Sequence, residues 1–202
     1  MSGIVNQTGA RSGVIGTTVG TPPSGATAGN LVLGDSRDFG SSAGDNIVFE
    51  LASGYDVHVV EFENLGIAID NNNIYLTLGT SASSFSTTSG YNFTGDFHRY
   101  QGTSDTQTTG YIKGLANLCY FYFMGNEITH GLCGAIRIYG ARNSSLYTGA
   151  IGHHSYWAQD NYVRNYNWGN SRNVAEDNSH MKIYTSSGNI DSGTLKVYGV
   201  KK

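Results

Sequence analysis

Two segments in the second half of the chain repeat one pattern: Gly134-Ala135-Ile136-Arg137-Ile138-Tyr139-Gly140-Ala141-Arg142 and Gly193-Thr194-Leu195-Lys196-Val197-Tyr198-Gly199-Val200-Lys201. In each, apolar residues alternate with polar or amphipathic ones, and glycines bound the run. Successive side chains of an extended backbone point to opposite faces, so a period of two reads as a short strand with one face buried and one wet. The composition agrees with a sheet protein. Glycine is frequent at 28 residues against 2 prolines, and 14 tyrosines with 8 phenylalanines supply large side chains suited to pleated surfaces, so long surface helices are not expected.

A chain of 202 residues can bury one sizeable core, or one core plus an arm. Twelve Lys and Arg against 15 Asp and Glu give a net charge of -3 with no basic stripe, which leaves nucleic acid without an electrostatic footprint. Residues 1–20 lack a basic segment followed by an apolar run, and no later stretch approaches the roughly 18 apolar residues of a membrane helix. The expectation is a soluble protein made in the cytoplasm, with no membrane insertion. Cys119 and Cys133 lie fourteen positions apart, a separation that permits a disulfide or two ordinary thiols; cytoplasmic synthesis favours thiols.

Between Met1 and Leu33 only Arg11 is charged, and small residues dominate. This stretch cannot bury enough apolar area to fold alone, yet it carries the apolar pairs Ile4-Val5 and Val14-Ile15. It reads as an extended attachment arm over residues 1–33, with Ile4, Val5, Arg11, Val14 and Ile15 as its contact residues, ahead of a body over 34–202. A plain flexible terminus is the alternative. Thr21-Pro22-Pro23-Ser24-Gly25 is a stiff link, because each proline fixes its own backbone and restricts the residue before it.

In the body, 34–46 reads as a Gly- and Asp-rich turn region and Ile47–Leu51 as a strand. Val57–Leu65 is the next strand, with a bulge expected near Val59-Val60 to reconcile Val60, Phe62 and Leu65 with one apolar face. Asp70-Asn71-Asn72-Asn73 forms a turn, Ile74–Leu78 follows with alternate residues on one face, and the unit 55–78 reads as a hairpin or meander. Residues 79–95 and 143–179 read as long polar loops. In Leu118–Met124 every residue is apolar or amphipathic; Cys119, Phe121 and Phe123 are expected inward and Tyr120 and Tyr122 outward, because buried phenols need partners. Many short strands joined by short connections predict an all-β, antiparallel sandwich closed by Met181–Tyr184 and Leu195–Tyr198.

No motif marks a catalytic centre, a cofactor or a metal site. His153-His154 is the most ligand-like pair, with His130, His180, Asp160 and Asp177 as possible completers, but neighbours on extended backbone face opposite sides. Glu61 and Glu63 share one strand face, whereas glycoside hydrolysis needs carboxylates facing each other across a substrate. Asp35, Asp38 and Asp45 lack the ligand spacing of a calcium loop. The aromatic run Tyr156, Trp157, Tyr162, Tyr166 and Trp168, interleaved with asparagines, reads either as a recognition surface or as rings packed locally onto the sandwich.

The segments 55–78 and 181–200 carry a resemblance. Tyr55-Asp56-Val57-His58-Val59-Val60-Glu61-Phe62-Glu63-Asn64-Leu65, Asn73-Ile74-Tyr75-Leu76-Thr77-Leu78 and Ser192-Gly193-Thr194-Leu195-Lys196-Val197-Tyr198-Gly199-Val200 resemble bacteriophage structural domains, especially of marine and cyanobacterial phages. The opening Ser2-Gly3-Ile4-Val5-Asn6-Gln7-Thr8-Gly9-Ala10-Arg11-Ser12-Gly13-Val14-Ile15-Gly16 is similar to the start of such virion proteins. The resemblance implies a jelly-roll-like sandwich in a virion, made in the host bacterial cytoplasm: a tail-associated attachment or fibre component, or else a capsid decoration or head-fibre protein. Other virion proteins are then its partners, self-association as a trimer is favoured, and a host surface glycan is a possible ligand. No catalytic residues belong to the pattern.

Overall fold

The computed structural model describes residues 18–19, 31–40, 44, 46–86, 90–101, 104–115, 117–126, 131–158 and 162–200. They form β1 (Thr18–Val19), β2 (Leu31–Asp38), β3 (Asn46–Glu50), β4 (Val57–Ile67), β5 (Asn72–Ser81), β6 (Ser84–Phe85), β7 (Tyr91–Gln101), β8 (Ser104–Leu115), β9 (Cys119–Met124), β10 (Leu132–Tyr139), β11 (Tyr147–Trp157), β12 (Val163–Ala175), β13 (His180–Thr185) and β14 (Ile190–Val200). A nine-stranded sheet runs β1-β2-β14-β4-β10-β11-β12-β7-β8, and a five-stranded sheet runs β3-β13-β5-β6 with β9 also on β5. All neighbours are antiparallel except β1, which runs parallel to β2. The protein is an all-β antiparallel sandwich.

The two repeated segments flank the same strand. β10 and β14 pair with the two edges of β4, so that Ile136 and Val197 both lie opposite Val60. Ile136, Ile138, Leu195 and Val197 are buried beside Val60 and Phe62, while Arg137 stays exposed. The bulge on β4 sits at Asn64 rather than near Val59-Val60. From Phe62 to Leu65 the strand spends one residue more than β10 does from Gly134 to Leu132, and Asn64 takes a left-handed φ of 50°. That extra residue changes the parity, so His58, Val60 and Phe62, then Leu65 and Ile67, all turn inward. Gly193 opens the second repeat opposite the bulge with φ +90°, where a Cβ would lie 2.3 Å from the Asn64 carbonyl oxygen.

Val57–Ile67 and Asn72–Ser81 do not form a hairpin. Both edges of β4 are taken by β10 and β14, and β5 lies in the other sheet between β13 and β9. The turn through Asn71, at φ 57°, therefore carries the chain from one layer to the other. The apolar faces then meet: Ile74, Leu76 and Leu78 of β5, Met181 and Ile183 of β13, Phe49 of β3 and Cys119 and Phe121 of β9 join one core with β4, β10 and β14. Phe62 and Phe121 touch edge to face across the gap, with ring centroids 5.6 Å apart. Cys119 and Phe121 point inward as expected and Tyr122 is exposed; the side chains of Tyr120 and Phe123 lie outside the described residues.

Three segments read as irregular are strands. Leu31–Asp38 pairs with β14 across the expected arm–body boundary and the first five residues of the expected turn region. Most of 79–95 is absorbed by β5, β6 and β7, and 143–179 contains the hairpin β11–β12. Polar composition hid these strands: in the β11–β12 hairpin one face meets solvent and the other carries tyrosine, tryptophan, arginine and asparagine in place of aliphatics, and in β2 Val32 alone is buried. Ile4, Val5, Arg11, Val14 and Ile15 of the expected arm lie outside the described residues; nearer the body, Thr18–Val19 lies beside Val32–Leu33.

Candidate functional site

The registers of β10, β11, β12 and β7 decide which side chains are offered to solvent. Gly134, Ile136 and Ile138 face inward, and their partners on β11 are His154, Gly152 and Ala150. Following the same rows across β12 and β7 puts Tyr156, Arg164, Tyr166, Trp168, Phe97 and Phe93 on the inner face as well. Outward on these strands are Trp157, His153 and Ile151, then Asn165 and Asn167, then His98 and Tyr100, with Ala135 and Arg137 on β10.

The inner face is an aromatic cluster. Trp168 has a glycine beside it on each neighbouring strand: a Cβ on Gly152 would lie 2.5 Å from Trp168 Cζ2, and one on Gly95 2.7 Å from Trp168 Cβ. Gly152 is required by the indole ring, and Gly95 by the Trp168 Cβ and the Asn167 carbonyl beside it. The Trp168 indole N–H donates to His154 Nδ1 at 3.1 Å, which fixes the imidazole as the Nε2–H tautomer. His154 stacks on Tyr166 at 4.8 Å and meets Phe121 edge-on at 4.5 Å, and its Nε2 has no hydrogen-bond partner among the described residues. Burial, aided by neighbouring His153, lowers its pKa to about 3, so it is neutral in the folded protein at ordinary pH. The Tyr156 hydroxyl donates to the Tyr122 carbonyl at 2.7 Å, and burial pushes that phenol well above its usual range. This cluster tethers β9 to the large sheet.

The outer face is open. A concavity of about 300 Å³ is lined by His98 and Tyr100 of β7, Asn165, Tyr166 and Asn167 of β12 and His153 and His154 of β11. A second, of about 350 Å³, is lined by Ala135 and Arg137 of β10 with Ile151 and His153 of β11. The two share His153 and lie side by side across four strands, an outer groove in two parts. The His98 and Tyr100 rings are nearly parallel, with centroids 6.4 Å apart. Trp157 and Tyr100, 40% and 43% exposed, lie on the same outward row with only Val163 between them. Another cavity, of about 810 Å³, is lined by Tyr55, Tyr139, Arg142 and Leu146 together with Gly54, Gly140, Asn143 and Ser144, and Arg142 is ion-paired with Asp177 at 3.3 Å.

The aromatic run, which reads either as a recognition surface or as rings packed locally, is split by the alternation of the strands. Tyr156 and Trp168 are buried and Tyr166 packs against the core; Trp157 alone of the five projects from the outer face of β11, and Tyr162 stacks under Arg99 at 4.2 Å. Asn165 and Asn167 belong to that reading as asparagines between its rings, whereas His98 and Tyr100 of β7 lie outside it. The parity of the run, once it is taken as strand, puts both asparagines on one outward face. His153 and His154 do point to opposite faces. His180 contacts the Ser179 hydroxyl at 2.7 Å, while His130, Asp45 and Asp160 lie outside the described residues. Asp35 accepts from the Ser36 amide and Asp38 from Thr194, and Glu63 binds Lys196 at 2.8 Å. Among the described residues no group of three or more His, Cys, Asp or Glu is placed to hold a metal ion, and no helix is long and apolar enough to cross a membrane. Both cysteines are free, Cys119 buried and Cys133 exposed.

No protein-family model matches the chain, and no curated protein matches it. Among solved structures it is similar to a protein of unknown function from Bacteroides ovatus, at 7% identity over 76% of this chain and 93% of that one, with a TM-score of 0.29. A second likeness is to an alginate lyase from Alteromonas sp. 272, at 9% identity over 80% of this chain and 79% of that one, with a TM-score of 0.14. Likenesses of this degree carry neither fold nor function to the chain.

Proposed function

We propose that this chain is a non-enzymatic virion protein of jelly-roll-like architecture, associated with the tail, attached through its N-terminal arm and presenting the outer face of its nine-stranded sheet to a host surface. The observation that carries the reading is the groove spanning β10, β11, β12 and β7: a polar and aromatic surface on rigid strands, backed by a packed core. The virion setting draws on the resemblance of the opening segment and of the strands around β4, β5 and β14. Electron microscopy of particles labelled with antibody against the folded body tests it. Label confined to the tail is the expected result; uniform label over the head replaces the tail with a decoration role, and unlabelled particles refute the virion setting. Deleting residues 2–20 is expected to leave a soluble, sheet-rich body that fails to enter particles. Normal entry of that deletion refutes the arm.

A further inference from the structure

The outward groove has a composition that selects among ligands. We propose that it binds an oligosaccharide laid across the strands, from the Arg137 end on β10 to Tyr100 on β7; this deepens the attachment reading and rests on it. Four adjacent strands at their usual spacing span roughly 14 Å, enough for a short run of sugar rings. Along that length the polar groups are Asn165, Asn167, His98 and His153, which both donate and accept hydrogen bonds, as a ligand rich in hydroxyls requires. Tyr100, with Trp157 on the same outward row, supplies the flat ring surface on which the apolar face of a sugar rests. A nucleic acid would call for a row of cations, and within the two concavities Arg137 is the one lysine or arginine among the described residues. An apolar peptide would call for an apolar trough.

The glycines beside the groove point the same way. Gly149 and Gly169 face outward on β11 and β12. A Cβ on Gly149 would meet nothing within 4 Å, and one on Gly169 only ordinary contacts at 3.8 and 4.0 Å. Neither has the left-handed backbone that explains Gly193. The fold does not demand glycine at these positions, in contrast to Gly95 and Gly152 under Trp168. Bare backbone on a strand's open face suits close approach of a ligand.

Isothermal titration of the full chain tests this with hexasaccharides of glucose, N-acetylglucosamine and galacturonate, and with the surface polysaccharide of the host. Binding of at least one is expected, weakened roughly tenfold or more by Asn165→Ala with Asn167→Ala and by Gly169→Leu, each with an unchanged circular dichroism spectrum and melting temperature. No binding at millimolar saccharide overturns the inference, and so does binding that the groove variants leave intact. If saccharides fail while label stays on the tail, the attachment reading survives and the ligand class falls. If saccharides bind through the groove while particles stay unlabelled, the ligand class survives and the virion setting falls.

Discussion

His154 is a residue whose chemistry departs far from its ordinary state. Unfolded, its imidazole takes up a proton below about pH 6.5; folded, only near pH 3, because burial disfavours the cation. Between those values the unfolded chain binds more protons, so the contribution of His154 is complete above about 6.5 and is lost as pH falls, by up to about 1.4 kcal/mol per pH unit. His58, lowered by burial and held by its bond to the Ala52 carbonyl, acts in the same direction. Urea unfolding at pH 7 and pH 4 is expected to show this loss. His154→Gln, which keeps an acceptor for Trp168, should flatten the dependence and leave the His58 share; an unchanged slope refutes the assignment. The two thiols divide similarly. Cys133 is exposed, whereas burial raises the Cys119 thiol well above its usual range. A thiol reagent should therefore modify Cys133 in the native protein and Cys119 only after unfolding.

At the scale of the element, the bulge of β4 and the hairpin β11–β12 decide which faces are seen. Gly193→Ala puts a Cβ against the Asn64 carbonyl on a backbone that disfavours side chains, so a loss of at least about 1–2 kcal/mol is expected by urea unfolding. Gly169→Ala meets ordinary space and is expected to stay within about 1 kcal/mol of the parent. In the hairpin, Trp168→Ala empties a core site and should cost about 3–5 kcal/mol, whereas Trp157→Ala on the outer face should cost less than about 1 kcal/mol. Equal losses at the two tryptophans would refute the assignment of faces. The strands Ile47–Leu51, Val57–Leu65 and Ile74–Leu78 were legible because aliphatic residues alternate there with polar ones. The hairpin was not, because its inner face is built of Tyr156, Tyr166, Trp168 and Arg164, residues that read equally well as loop decoration. The buried pairing of Arg172 with Glu176 and Asn178 closes the far end of that hairpin in the same disguise.

Across the whole molecule, the nine-stranded sheet ends at β8, a strand of 12 residues whose outer edge is unpaired among the described residues. The segment 118–124 packs within the sandwich, so the physical case for self-association passes to this edge, whose free backbone groups can pair with a second chain. Light scattering is expected to give a multiple of the 21.6 kDa chain mass, three chains if the trimer implied by the resemblance holds. A single chain mass at all concentrations would refute both. The sequence by itself determined that this chain makes sheet and where most strands of its aliphatic core lie, because side-chain alternation along a strand is a local property of the backbone. It also marked Gly134 and Gly193, which lie within β10 and β14 rather than at their ends. Only the tertiary structure decided that those two repeats flank one strand, that β4 and β5 belong to opposite layers, and that Trp168 faces in while Trp157 faces out. Those outcomes rest on register and on which edges remain free for pairing, and both are set by contacts between residues far apart in the chain.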